Sequence, residues 1–345
     1  MTSLTTRLRS PEGIGLTLLA LFLAQGLWWL ATTDTGTRLF FYEVTLSGLL
    51  AGVMYSLVAL GFVLIYKSSG IFNFAQGVMA LFAGLFLTGF MNDFGAPVWL
   101  AIPMTLAVMV ATAFAIEHLV LRHLVNQEPI ILFMATIGLA YVLEGIGDIV
   151  WGSDVKALDV GLPNGASDFF LDGFDIYVEK LEIAAAVVAG VLVIALSLFS
   201  QYTRIGRALR AVADDHQAAL SVGISLRMIW VIVWSIAGGV ALVAGMMWGA
   251  KSGVQFSLAL IALKALPVLI LGGFTSIPGA IVGGLIIGVG EKWAEIYLGA
   301  TLNSLFGWNA NWFTAIENWF AYVLALGFLL IRPQGLFGEK IIERV

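Results

Sequence analysis

Apolar stretches, each bounded by short polar segments, follow one another along the whole chain. They fall at about 14–32, 42–66, 71–90, 96–120, 130–150, 181–201, 228–250, 256–272, 279–298 and 313–331. About 20 helical residues cross the hydrocarbon core of a bilayer. The pattern therefore predicts an all-α fold, a polytopic transmembrane helix bundle of about ten spans, in one domain over residues 1–345. The first stretch follows Arg7 and Arg9, as a signal peptide would. Trp28 and Trp29 close it and no clear small-residue cleavage site follows, so it reads as a retained extra span.

Two stretches carry polar interruptions. Gly70-Ile-Phe-Asn73-Phe-Ala75-Gln76-Gly77 breaks one, and Gly272-Gly273-Phe-Thr275-Ser276-Ile-Pro278-Gly279 breaks another much later in the chain. This predicts two similar halves with corresponding broken helices, a pattern tied to midplane substrate sites. Asn73, Gln76, Thr275 and Ser276 are the candidate pathway residues. The competing reading is that both segments are tight turns at the cytoplasmic surface.

Small residues recur at helical spacing within the spans. Gly48 with Gly52, Gly279 with Gly283, and Gly284 with Gly288 form G-x-x-x-G pairs, which permit close helix packing in lipid. Glu144, Asp148, Lys264, Glu291, Lys292 and Glu295 fall in or near apolar stretches. A charge at the bilayer centre costs ~3 kcal/mol on insertion scales, so it faces the bundle interior, a partner or water. Lys264 and Glu291 lie on adjacent spans and are expected to pair, locking two helices.

Composition agrees with the patterning. Hydrophobic residues make up 60% of the chain and charged residues 11%, against about 25% charged in an average soluble domain. Lysine and arginine orient the bundle. With an inside N-terminus, the cytoplasmic side holds Arg7, Arg9, Lys67, Arg122, Arg204, Arg207, Arg210, Arg227, Arg332, Lys340 and Arg344. The outer side holds only Arg38, Lys156, Lys180 and Lys251. Both termini are thus expected in the cytoplasm. The long outer loop 151–180 is acidic, with Asp154, Asp159, Asp168, Asp172, Asp175 and Glu179.

Chemistry of the soluble-enzyme kind finds little support. There are no cysteines, and His118, His123 and His216 lack metal-ligand spacing. Gly245-Met-Met-Trp-Gly-Ala-Lys251-Ser252 lacks the glycine that precedes the lysine of a phosphate loop and follows a span rather than a strand. The chain is expected to bind no metal or cofactor of its own. The remaining polar segment, 204–225, is basic and lies where a water-soluble partner can reach it. Residues 206–222 are expected to form one helix with Leu209, Val212, Ala213 and Leu220 on one stripe. Gly223 supplies its left-handed stop.

Several runs together resemble the LivH-type permeases of bacterial ABC importers. They are Gly48-x-x-x-Gly52-x-x-Tyr55 through Tyr66, Gly70-Ile-Phe-Asn73-Phe74-Ala75-Gln-Gly77, Ile116-Glu117 with Arg122, and Arg204-x-Gly206-Arg207-Ala208-x-Arg210-Ala211. Further on come Ala219-x-x-x-Gly223-Ile224, Lys264-Ala265, the run Leu271 to Gly284, and Glu291. The resemblance covers about 46–334 and departs from the family in the extra first span and in Gln76, where branched-chain amino-acid permeases often carry His.

The resemblance implies a permease in the bacterial inner membrane, paired with a LivM-type second permease. It implies two cytoplasmic ATPases that bind ATP-Mg and a periplasmic substrate-binding protein, with no nucleic acid involved. Segment 204–225 becomes the coupling segment, with Arg207, Arg210, Ala219 and Gly223 meeting an ATPase. Implied substrates are branched-chain amino acids, urea, short amides or aromatic acids. An ion-coupled secondary transporter using Lys264 and Glu291 stays open as the alternative.

Overall fold

Wherever the chain crosses lipid its backbone polar groups must be satisfied internally, and for this sequence that means helices. The computed structural model describes residues 34–124, 127–214, 216–299 and 316–338. The expected span 14–32 lies outside them. Among the described residues there is no strand, only the isolated bridges Lys156–Val254 and Ala166–Glu179.

The helices are α1 Thr35–Ser69, α2 Gln76–Thr88, α3 Val98–Leu119, α4 Pro129–Trp151, α5 Asp168–Phe174 and α6 Lys180–Tyr202. They continue as α7 Arg204–Asp214, α8 His216–Ser221, α9 Leu226–Ser252, α10 Ile261–Gly272, α11 Ile277–Trp293 and α12 Ile316–Ile331. A π-turn, Gly89–Asp93, extends α2, and another, Ala294–Leu298, extends α11. Each expected stretch from 42–66 onward has a helical counterpart. Among the described residues, six helical stretches are long and apolar enough to cross a membrane.

α1 is longer than its apolar stretch because its caps are polar. Asp34 accepts hydrogen bonds from the Thr37 amide (3.0 Å) and hydroxyl (2.7 Å), and Gly70, at φ 67°, ends the helix in the left-handed region. α10 begins late, after a 3₁₀ turn at Phe256–Leu260.

Two antiparallel helices, α1 and α11, form the spine. Without a hydrophobic force between helices in lipid, close backbone contact must supply the attraction. Gly52 packs on the Gly284 carbonyl, and Gly288 on the Gly48 carbonyl, where a β-carbon has no room. Ser56 Oγ donates to the Gly52 carbonyl (2.8 Å) and reaches the Ala280 carbonyl at 3.1 Å. α9 closes on α2 the same way, with Gly245 on the Ala80 carbonyl. Around this core, α3, α4 and α6 turn large apolar side chains outward, among them Trp99, Phe114, Ile149 and Val191. A lipid-facing surface needs that composition.

Within the expected helix over 206–222, α7 and α8 are helical on either side of residue 215, which lies outside the described set. Val212 and Ala219 are buried, while Leu220 is exposed, so the stripe is not continuous.

Adding one methyl group at Gly52 or Gly284 must push the spine helices apart. Gly52→Ala and Gly284→Ala are expected to lower the folded, monodisperse yield in detergent and the melting temperature. Gly138→Ala and Gly145→Ala, whose added methyls meet nothing within 4 Å, are expected to leave both unchanged. Size-exclusion chromatography with thermal melts checks this.

Candidate substrate pathway

The first interruption is a true break in a span. After Gly70, whose amide donates to the Tyr66 carbonyl at 2.8 Å, residues 71–75 leave the helix, and α2 starts at Gln76. Leaving the helix frees backbone groups, and polar side chains take them up. Asn73 Oδ1 accepts from the Ala75 amide (3.1 Å), and Thr136 Oγ1 on α4 accepts from the Phe74 amide (3.0 Å). Thr136 Oγ1 also lies 3.1 Å from the Phe72 carbonyl. Asn73 Nδ2 donates to Gln76 Oε1, and Gln76 Nε2 to the Ala237 carbonyl of α9, each at 3.3 Å.

Asn73 and Gln76 are buried (0% and 1% exposed), so both amides are enclosed in protein. Ala237 lies 11 residues into α9, about 16 Å along it at 1.5 Å per residue. The break is therefore inside the bundle and not a surface turn. Gly77 packs on Ala259 and Ala262, and Gly61 faces the Gln76 side chain, with no room for a β-carbon at either glycine.

The second interruption is a tight turn between two antiparallel helices, with Gly272 packed on the Gly279 carbonyl and Gly283 on the Val268 carbonyl. Gly273, at φ 103°, turns the chain out of α10, and Ser276 caps α11 by accepting from the Gly279 amide at 3.0 Å. The last carbonyls of α10 are covered from outside the helix. Leu336 N donates to the Leu271 carbonyl (2.8 Å) and Phe337 N to the Gly272 carbonyl (3.1 Å). Thr275 makes no side-chain hydrogen bond among the described residues.

The first break meets this turn through aromatic rings and not through the expected polar residues. Phe72 stacks on Phe62 (5.1 Å between centroids) and lies 6.2 Å from Phe274, which lies 5.4 Å from Tyr66. Phe133 of α4 contacts both Phe72 and Phe74. No described hydrogen bond joins Asn73 or Gln76 to Thr275 or Ser276. The break and the turn lie along the same part of α1, between Ser56, which reaches Ala280, and Tyr66, which meets Phe274. Thr136 and the rings were missed in the sequence. The one available signal was that Phe72 and Phe274 hold similar places in the two interrupted motifs.

Lys264 and Glu291 do come together, with Nζ 3.9 Å from Oε2. Glu291 is buried at 3% side-chain exposure, while Lys264 keeps 28%. In the basic segment, Arg207 donates to the Tyr202 carbonyl (3.4 Å) and Arg210 to the Gln201 carbonyl (3.3 Å), both in the last turn of α6. Arg210 also lines a small apolar cleft beside Lys67. Gly223 stands at φ 85°, and Ile224 N donates to the Ala219 carbonyl at 3.0 Å, so the expected left-handed stop is present.

At the opposite end of the bundle, a cavity of about 220 Å³ is lined by Glu43, Glu182 and Lys292 among others. Glu182 pairs there with Lys251. In the acidic loop, Lys180 donates to Asp168 at 2.9 Å and, by that hydrogen bond and its charge, holds the Asp168 carboxyl below its ordinary range. Among the described residues no group of histidines and carboxylates has the arrangement of a metal site.

Comparison with known proteins fits this architecture. Residues 44–331 match the family model described as branched-chain amino acid transport system / permease component. The chain is similar to the high-affinity branched-chain amino acid transport system permease protein LivH of Salmonella typhimurium, 28% identical over 89% of this chain and 98% of that one. It is also similar to the corresponding permease BraD of Pseudomonas aeruginosa (27%, covering 88% and 98%) and to a probable LivH permease of Methanocaldococcus jannaschii (29%, covering 82% and 88%). A multi-pass helix bundle whose span after Gly70 opens inside it, matched from its first described helix into its last, the chain belongs to the family of branched-chain amino acid transport system permease components.

Proposed function

We propose that this chain is one of two permease subunits of an ABC importer in the bacterial inner membrane, and that it carries a branched-chain amino acid inward. The observation that supports this best is the span that opens inside the bundle at Asn73 and Gln76 and meets the α10–α11 turn through Phe72 and Phe274. The start of α2 lies inside the bundle and points the positive end of its helix dipole there. Asn73 and Gln76 each add donors and acceptors without charge. Such a lining passes a zwitterion without holding it tightly.

On this reading the aromatic contact between Phe72 and Phe274 closes the path, and alternating access opens it to one side at a time. ATP-Mg is bound by two partner ATPases, since this sequence carries no phosphate loop. The α7–α8 segment docks on an ATPase at the cytoplasmic side, with both chain termini on that side. Arg207 and Arg210 then fix α7 to the end of α6, so that movement of α7 moves a span. A LivM-type second permease and a periplasmic binding protein complete the complex. Gln76, an amide, favours urea or a short amide as the second substrate reading.

Two outcomes are expected in cells lacking the native chain and complemented with variants. Replacing both Asn73 and Gln76 by Leu is expected to cut radiolabelled leucine uptake at least tenfold while membrane levels and co-purification of partners stay normal. Undiminished uptake places the path elsewhere. Uptake of urea in place of leucine by the unaltered chain selects the second substrate reading. Ala219→Trp or Gly223→Val is expected to abolish co-purification of the ATPases or ATPase-coupled uptake. Intact pull-down with full uptake in both variants contradicts the docking role.

A further inference from the structure

Lys264 is a charge in the middle of a span with poor partners. It lies ten residues past Val254, which bridges to Lys156 of the acidic loop, and eight before Gly272, whose carbonyl binds Phe337. Charge-assisted hydrogen bonds run at about 2.7–2.9 Å. The Lys264 ammonium instead stands 3.9 Å from Glu291 Oε2, 3.5 Å from the Tyr55 hydroxyl and 5.7 Å from the centre of the Tyr55 ring. An ammonium carries three donors, and none has an acceptor at the usual length among the described residues.

A second donor in the same cluster lacks an acceptor. Trp248 stacks on Tyr55, 5.8 Å between centroids and 18° between planes, and its indole Nε1 is buried with no partner among the described residues. Lys264 and Trp248 are donors and can take an acceptor, while the buried Glu291 carboxylate beside them can take a donor. A ligand that fits carries both kinds of group, as a zwitterion does. The partial exposure of Lys264 gives such a ligand access. Because a charge facing lipid is costly, that exposed side meets water or protein. Lys264 shares α10 with Ala262, which packs on Gly77 at the start of α2.

We propose that Lys264 docks the carboxylate of the transported amino acid, with Trp248 as a second donor and the Tyr55 ring as an apolar wall for the side chain. Glu291 then holds the ammonium in place while the site is empty and attracts the amino group of the substrate when it is full. This deepens the importer reading and rests on it.

A charge swap separates docking from a merely structural pair. Lys264→Met is expected to lower leucine uptake at least tenfold in complemented cells, and Lys264→Arg to keep it within about threefold. The double variant Lys264→Glu/Glu291→Lys preserves the pair but moves the cation, and is expected to stay at least tenfold down. Recovery to within about twofold in the swap, or in Lys264→Met/Glu291→Met, overturns docking and leaves a structural pair. Normal uptake by Lys264→Met overturns it as well. So does loss of co-purified partner permease in that variant, because the missing acceptor then belongs to the partner. An unaltered complex that imports only uncharged solutes overturns the importer substrate and this inference together. Leucine import that is indifferent to Lys264 overturns this inference alone.

Discussion

Hydrocarbon offers no water to backbone groups, and every feature of this bundle answers to that constraint. An unbroken span satisfies itself. A broken one exposes amides and carbonyls in the middle of the bundle, where each unpaired group costs several kcal/mol. The break after Gly70 and the α10–α11 turn persist because neighbours fill those bonds. Asn73 and Thr136 serve the first, and Ser276 with the 336–337 backbone serves the second. The same constraint explains the glycines of α1 and α11. A rigid spine with its two backbones nearly touching keeps the break and the turn against one stretch of helix.

This arrangement joins a stable part to a part suited to change. The α1–α11 contact is backbone on backbone and has no slack. The contact between the break and the turn is made of rings at 5–6 Å, which can slide apart without leaving a polar group unpaired. Opening such a contact exposes apolar surface and the amides behind it. That is the behaviour a gate requires, and it is cheaper than breaking a buried hydrogen-bond network.

Much of the fold was legible in the sequence because apolar length is a strong signal in membranes. The stretches from 42–66 to 313–331 each returned as helix, the interruption at Asn73 as a break, and that at Thr275 as a turn between antiparallel helices. Boundaries moved where capping chemistry outweighed hydropathy, as at Asp34 in front of α1. The candidate site was half legible. Asn73 and Gln76 were seen as polar residues in an apolar run, and their mutual bond follows from their spacing. Thr136 was hidden because one threonine in a helix sixty residues away announces nothing. Lys264 and Glu291 paired as expected, but their looseness is a matter of distance that spacing cannot convey. The stripe proposed for 206–222 was less continuous than its spacing suggested, since Val212 is buried and Leu220 exposed.

On the proposed path, Phe72 and Phe274 meet in the resting state and must part for transport. The absence of native cysteines makes this directly measurable with the double variant Phe72→Cys/Phe274→Cys in the complete transport system. Oxidation is expected to link the two positions in the resting state, to block leucine uptake, and to be reversed by a reductant that restores uptake. A linked protein that imports leucine at the unlinked rate would contradict the account.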